Sequence, residues 1–224
     1  MIFFLYLRKF AFFSLTLRWE VRRRCPFSFC YIMMEGMVCR RDYLRLPDRR
    51  RCYEILRENQ VPSHIVAHCE KVALVATFLA EALCREGEEL DLALVEAGAL
   101  LHDVTKHLSL KTGENHALSA ASLLERLGYP QVAKVVASHI FCPPGPPGTP
   151  IREEEIVYYA DKRVKHTRIV TLKERFEDLK ERYGRSVSSL IRLDHLYELT
   201  RLLERRLFKK LPFGPERLLE LEDG

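Results

Sequence analysis

The adjacent pair His102 and Asp103 closes an apolar run, Leu92 to Leu101, and Lys106 comes shortly after it. Imidazole and carboxylate are side chains that first-row divalent metals prefer. The run carries one charge, Glu96, so the helix it predicts is packed on nearly all sides and delivers His102 and Asp103 to the edge of a core. An ionised carboxylate buried there without a partner costs several kcal/mol. A bound metal cation is the economical partner for Asp103.

Three further segments present matching side chains. Ile65, Val72, Val75 and Leu79 mark the apolar face of a helix predicted from about Ser63 to Cys84, and His68 falls on that face. Val132, Val135, Val136 and Ile140 form a second stripe that includes His139, in a segment opened by Pro130 and ended by Pro143 and Pro144. Asp161 shares a face with Val157, Ala160 and Val164, in a segment that begins after Pro150 with Glu153 to Glu155 in its first turn. His116 comes directly after Asn115, a good N-cap, at the entrance of a short helix, Ala117 to Leu127, that Gly128 and Pro130 stop. Taken singly, each histidine is ordinarily a hydrogen-bonded core residue and each aspartate a cap. Together, separate helices each bring one such group to an apolar face, which is the pattern of a metal site. His64, near a helix start, and His107, His166 and His195, in charged or helix-end surroundings, read as surface residues.

The segments His68-Cys-Glu-Lys-Val-Ala, Ala97-Gly-Ala-Leu-Leu-His-Asp-Val-Thr-Lys, His116 with Ser119-Ala-Ala-Ser-Leu-Leu, Ala137-Ser-His139 and Tyr159-Ala-Asp161-Lys occur in this order. The ordered set resembles the HD-domain metal-dependent phosphohydrolases, particularly the HDIG-type subgroup, over roughly Val61 to Val170. The resemblance implies that His68, His102, Asp103 and Asp161 hold one metal, and that His116 and His139 match members with a second. Where the subgroup often has Ile-Gly after the dyad, this chain has Val104 and Thr105.

Neutral imidazoles and carboxylates on a divalent ion with an open position lower the pKa of a coordinated water toward neutrality, and phosphorus is the natural electrophile for it. With two ions roughly 3.5 to 4 Å apart, Asp103 would bridge them. Asp103 and Lys106 are the expected catalytic residues. Lys106, read as one helical turn after His102, would neutralise a phosphate oxygen; its plainer reading is a solvated lysine near a helix end. Mixed nitrogen and oxygen ligation favours manganese, iron, cobalt or zinc over magnesium, as one ion or two.

The two ends of the chain differ in composition. The first 32 residues hold seven of the twelve Phe, the only Trp and a net charge of +5, which equals the net charge of the whole chain. The rest is therefore formally neutral, and no nucleic-acid partner is expected for the catalytic part. Met33, Met34 and Met37 stand where the composition changes, so we expect translation to start at one of them and residues 1–36 to be an extension arising from gene assignment. The apolar stretch Ile2 to Leu17 is broken by Arg8 and Lys9, which makes a poor membrane span, and no small-residue cleavage site comes after it. Seven cysteines, an odd number without a Cys-x-x-Cys pair, point to reduced thiols and a cytoplasmic protein.

No repeat and no useful strand alternation is present, so the expected fold is all-α. It divides into the extension at 1–36, a leading helix within 37–60, an HD-type metal-binding catalytic bundle at 61–170, and a C-terminal helical extension at 171–224. The proline-rich stretch Phe141 to Pro150 cannot be helical and reads as a stiff loop near the substrate mouth. Helices are predicted at Leu172 to Tyr183 and Val187 to Leu207. In the second, Leu190, Leu193, Leu196, Leu199, Leu203 and Leu207 form a face that caps the core or pairs with a second copy as a homodimer. The expected activity is hydrolysis of a small phosphorylated substrate, with a nucleotide as the leading class. Symmetrical dinucleoside-tetraphosphate hydrolysis, which the resemblance also suggests, and a non-catalytic module that binds metal or nucleotide are the alternatives. A third, an RNA role for the basic arm, loses its footing if the chain starts near Met33.

Overall fold

The computed structural model describes residues 45–222, all within one compact unit, Cys39–Gly224. The expectations for residues 1–36 lie outside the described residues. The architecture is all-α, as the sequence predicts, with nine α-helices and one minimal hairpin among the described residues.

Local chemistry sets the helix limits. Asp48 caps α1 (Arg49–Glu58) by accepting from Arg51 N at 2.7 Å, and Pro62 precedes α2 (Ser63–Arg85). Asp91 caps α3 (Leu92–Leu101), whose residues Ala97 to Leu101 are all buried. The short α4 (Lys106–Thr112) stops at Gly113, which takes a φ of 75° that side-chain-bearing residues resist. Asn115 then caps α5 (His116–Arg126), and Pro130 opens α6 (Pro130–Ala137). Three glutamates occupy the first turn of α7 (Glu153–Lys162), where they complement the helix dipole. Thr171 and Ser186 cap α8 (Leu172–Tyr183) and α9 (Val187–Phe208), and a 3-10 segment, Pro215–Glu222, ends the described chain.

Helix α3 lies at the centre, against α1, α2, α6 and α7, while α5 pairs with α6 and α8 with α9. It comes very close to α6 at Gly98, where an added Cβ would stand 2.6 Å from Val135 Cγ1. Any side chain there would force the two helices apart. Among the described residues no helix is long and apolar enough to cross a membrane.

Several local expectations change. The strands β1 (Val164–Lys165) and β2 (Arg168–Ile169), paired antiparallel, are too short for alternation to reveal. On α9 only Leu193, Leu203 and Leu207 of the six leucines are buried, and Thr200 joins them; Leu190 stays exposed. The proline-rich loop, which leaves the centre two residues after His139, is tied at its second half to α7 and α9. Gly145 N donates to Glu155 at 2.7 Å, and Arg206 on α9 donates to the carbonyls of Pro146, Thr149 and Pro150. Glu155 stands six residues before Asp161, about 9 Å along α7.

Candidate metal centre

All six ligand-type residues singled out in the sequence converge on one region. His68 comes from the inner face of α2, Asp161 from the last turn of α7, and His116 from the first turn of α5. His102 and Asp103 occupy the turn after α3, which runs to Thr105. His139 stands in the turn after α6 and not on the helix as the stripe predicts.

The same contact ends both helices. The His102 ring donates from Nδ1 to Ala99 O at 2.8 Å, and the His139 ring donates to Val136 O at 2.7 Å. Each ring thus takes the carbonyl three residues upstream, which a continuing helix would give to the next amide. His68 Nδ1 likewise donates to the carbonyl of His166 at 2.7 Å. A carbonyl can only accept, so in all three rings Nδ1 carries a proton and Nε2 is the nitrogen turned inward.

These Nε2 atoms meet two carboxylates. His68 Nε2 is 3.2 Å from Asp161 Oδ1 and 3.9 Å from Asp103 Oδ2, and His102 Nε2 is 3.4 Å from Asp103 Oδ2 and 3.7 Å from Asp161 Oδ1. On the other side, His116 and His139 place Nε2 at 3.4 and 3.5 Å from Asp103 Oδ1. Two triads with metal-holding proportions result, His68 with His102 and Asp103, and Asp103 with His116 and His139. Asp103 belongs to both, one carboxylate oxygen toward each. The rings stand in a row at centroid spacings of 5.3, 5.1 and 5.0 Å from His68 through His102 and His139 to His116.

Burial opposes every charge in this cluster, and the balance differs by residue. Burial alone would raise the Asp103 carboxyl, but His102, His139 and Lys106 hold it well below the ordinary carboxylate range. Asp161 is likewise held low against burial by Lys162 and His68. Burial works against protonation of His102, yet Asp103 outweighs it and raises that imidazole well above its ordinary value. Burial brings His116 down to about 4 and also lowers His139, so both remain neutral at pH 7, the state in which imidazole ligates.

Buried polar groups are ordinarily satisfied, but His102 Nε2 and Asp103 Oδ1 are buried with no hydrogen-bond partner among the described residues. Buried imidazole and carboxylate atoms left without partners suit a cation, and this donor set suits a divalent one. The cluster is able to hold a divalent metal ion.

Two lysines flank it. Lys106 does not continue α3, because the chain turns through residues 102–105 and α4 begins at Lys106 itself. It still reaches the centre, with Nζ 2.5 Å from Asp103 Oδ2, and about a third of its side chain is exposed. Lys162, which sequence reasoning passed over, is buried and donates to Asp161 Oδ2 and, at 3.1 Å, to the carbonyl of His139. It ties α7 to the turn after α6. Its position directly after Asp161 was the available signal, since a lysine on a buried helix end needs a carboxylate. His64 and His195 are exposed, as the sequence predicts, and His107 is half-buried.

Comparison with known proteins agrees with this arrangement. Residues 65–165 match the HD domain. The match covers just under half of the chain. It encloses five of the helices that carry or support the centre and all six ligand-type residues. The chain is 28% identical, over 61% of its own length and 87% of the relative's, to an uncharacterized protein of Methanocaldococcus jannaschii. It is 30% identical over 58% of its length to a tRNA (cytidine(56)-2'-O)-methyltransferase of Picrophilus torridus, of which the match spans only 40%. Among solved structures, a predicted HD superfamily hydrolase from an uncultured Thermotogales bacterium matches 74% of this chain and 94% of its own at 23% identity, with a TM-score of 0.40.

Proposed function

We propose that this chain is a metal-dependent phosphohydrolase acting on a small phosphorylated substrate, with a nucleotide as the expected class. The observation that carries the reading is the split of the Asp103 carboxylate, whose two oxygens each face a pair of imidazoles. In this reading His68, His102, Asp103 and Asp161 hold one ion, and His116 and His139 complete a second position with Asp103. Manganese, iron, cobalt and zinc all suit the donors. A divalent ion held there supplies Lewis acidity, polarising a phosphoryl oxygen and bringing a water's pKa toward neutrality.

The protein's own groups do the rest. The backbone carbonyls of Ala99, Val136 and His166 orient the rings of His102, His139 and His68 and leave Nε2 of each as the ligating nitrogen. Lys162 holds Asp161 by Oδ2 and leaves Oδ1 to the centre. Lys106 stands at the solvent edge with its ammonium beside Asp103. Burial would lower its pKa, but Asp103 and Asp161 raise it, so it stays charged and can neutralise a non-bridging phosphate oxygen.

Metal analysis of anaerobically purified protein, joined to a phosphatase screen over nucleotides, dinucleoside polyphosphates and sugar phosphates, tests this. Close to two ions per chain with turnover of one of these classes is the expected result. Symmetrical cleavage of dinucleoside tetraphosphate would select the narrower alternative, and metal binding without turnover would select the regulatory module. A second reading, action on or beside tRNA, has one support, the occurrence of a matching segment in the tRNA methyltransferase of Picrophilus torridus. It predicts retention of tRNA on the purified chain, measured by gel shift at stated salt.

A further inference from the structure

The hairpin after α7 looks peripheral in sequence, and His166 at its tip reads as a surface residue. Its ring is exposed, but its carbonyl accepts from His68 Nδ1 at 2.7 Å. That contact settles which nitrogen of His68 carries the proton and where its ring points. His166 presents the carbonyl from a φ of 56°, the left-handed region that only a minority of side-chain-bearing residues occupy. Something must hold the turn in that conformation. The His166 ring accepts from Arg182 Nη2 at 2.8 Å, and the same nitrogen donates to Asp178 Oδ1 at 2.8 Å. Asp178, buried on α8, also pairs with Lys165 on the first hairpin strand at 3.2 Å and with Arg175 at 3.0 Å. The hairpin tip is thus gripped at two adjacent residues, Lys165 and His166, by one carboxylate and one guanidinium of α8.

We infer that α8, which lies beyond the segment matched to the HD domain, positions the metal centre by clamping the His166 turn whose carbonyl orients His68. His166, Arg182 and Asp178 are positioning residues, acting through His68 and touching no substrate. The inference rests on the proposed metal centre. It assigns the C-terminal helices a part in ligation, beyond covering apolar surface.

The test is a cobalt(II) titration monitored by visible absorption and chelator competition on the full chain, with melting of the metal-free protein measured alongside. Arg182→Met and His166→Val should each weaken cobalt binding about tenfold, the scale of losing a group that orients a metal-ligating histidine. His166→Asn should restore affinity close to wild type, because Asn tolerates positive φ and its amide oxygen can accept from Arg182. If the clamp served folding alone, both disruptive variants would lower the melting temperature and bind cobalt as wild type does, and that result overturns the inference. Should His166→Val fail to fold, Arg182→Met decides alone. His102→Ala separates the two layers: loss of binding there with unchanged Arg182→Met removes only the clamp. A wild-type chain that takes no cobalt, or a His102→Ala chain that binds normally, removes the metal centre and the clamp with it.

Discussion

Helix α7 carries a buried carboxylate near each end, and the two belong to networks of opposite kind. Near its start, Glu155 is fully buried and both its oxygens accept hydrogen bonds, Oε1 from Gly145 N at 2.7 Å and Oε2 from Arg152 N at 3.0 Å and Arg152 Nε at 3.4 Å, with the Arg206 guanidinium at ion-pair distance, 3.3 Å, from Oε1. Near its end, Asp161 joins a cluster in which Asp103 Oδ1 and His102 Nε2 have no hydrogen-bond partner among the described residues. A network that only holds the fold together gains by closing every bond, since an unpaired buried group costs about 1 to 3 kcal/mol. A network left open at its centre keeps donors for something that arrives later. Burial and charge alone would rank the two sites alike, and satisfaction of the lone pairs is what separates them.

The contrast breaks most completely at Asp103. Asp103→Ala should empty the site of metal and drop hydrolysis to assay background while the chain still folds, checked by metal analysis, turnover and circular dichroism. Metal retained at wild-type level would mean that the open network is structural after all. The opposite pattern is expected at the closed network. Glu155→Ala removes the carboxylate that pairs with Arg206 and Arg152 and should destabilise the chain by about 3 to 5 kcal/mol in denaturant melts, with metal stoichiometry unchanged in the folded fraction.

Lys106 sharpens the contrast within the open site. Lys106→Met should lower kcat by about 10²-fold with metal content constant, the scale of one lost electrostatic contact in the transition state. A raised KM with unchanged kcat would make it a binding residue instead.

Acidity gives a smaller effect. His102 in the metal-free fold has a pKa raised well above its ordinary value of about 6.5. Its contribution to stability is therefore fully present below that value and is lost as pH rises through the folded pKa. Asp103 and Asp161 are depressed, so theirs is present above about 3.9 and is lost as pH falls through the folded values. Melting temperatures of the metal-free chain should fall at both limits, and His102→Gln should flatten the alkaline one. The smallest expected effect is none: exposed His195→Ala should leave metal, turnover and melting unchanged.

Much of this was legible from the chain. The apolar stripes placed His68 and Asp161 on inward helix faces, and the Asn115 cap and the Pro130 start put helix limits within a residue or two. Periodicity failed where a side chain interrupts the backbone pattern. His102 and His139 each claim a carbonyl of their own helix and end it, so Lys106 and His139 stand in different local geometry from the continuous helices expected. The role of His166 was invisible for a different reason. It acts through its carbonyl, and residue type says nothing about where a carbonyl points.

Gly98 has a consequence for tuning. Helix α3 delivers His102 and the turn after α6 delivers His139, so the contact of Gly98 with Val135 acts as a gauge block between the two halves of the centre. Its thickness is that of one absent methyl group. Enlarging it to Ala would widen the gap on the His116 and His139 side, and trimming Val135 to Ala in the same chain would give the width back. Spacing between the two triads is then a matter of packing, with all six polar side chains left in place.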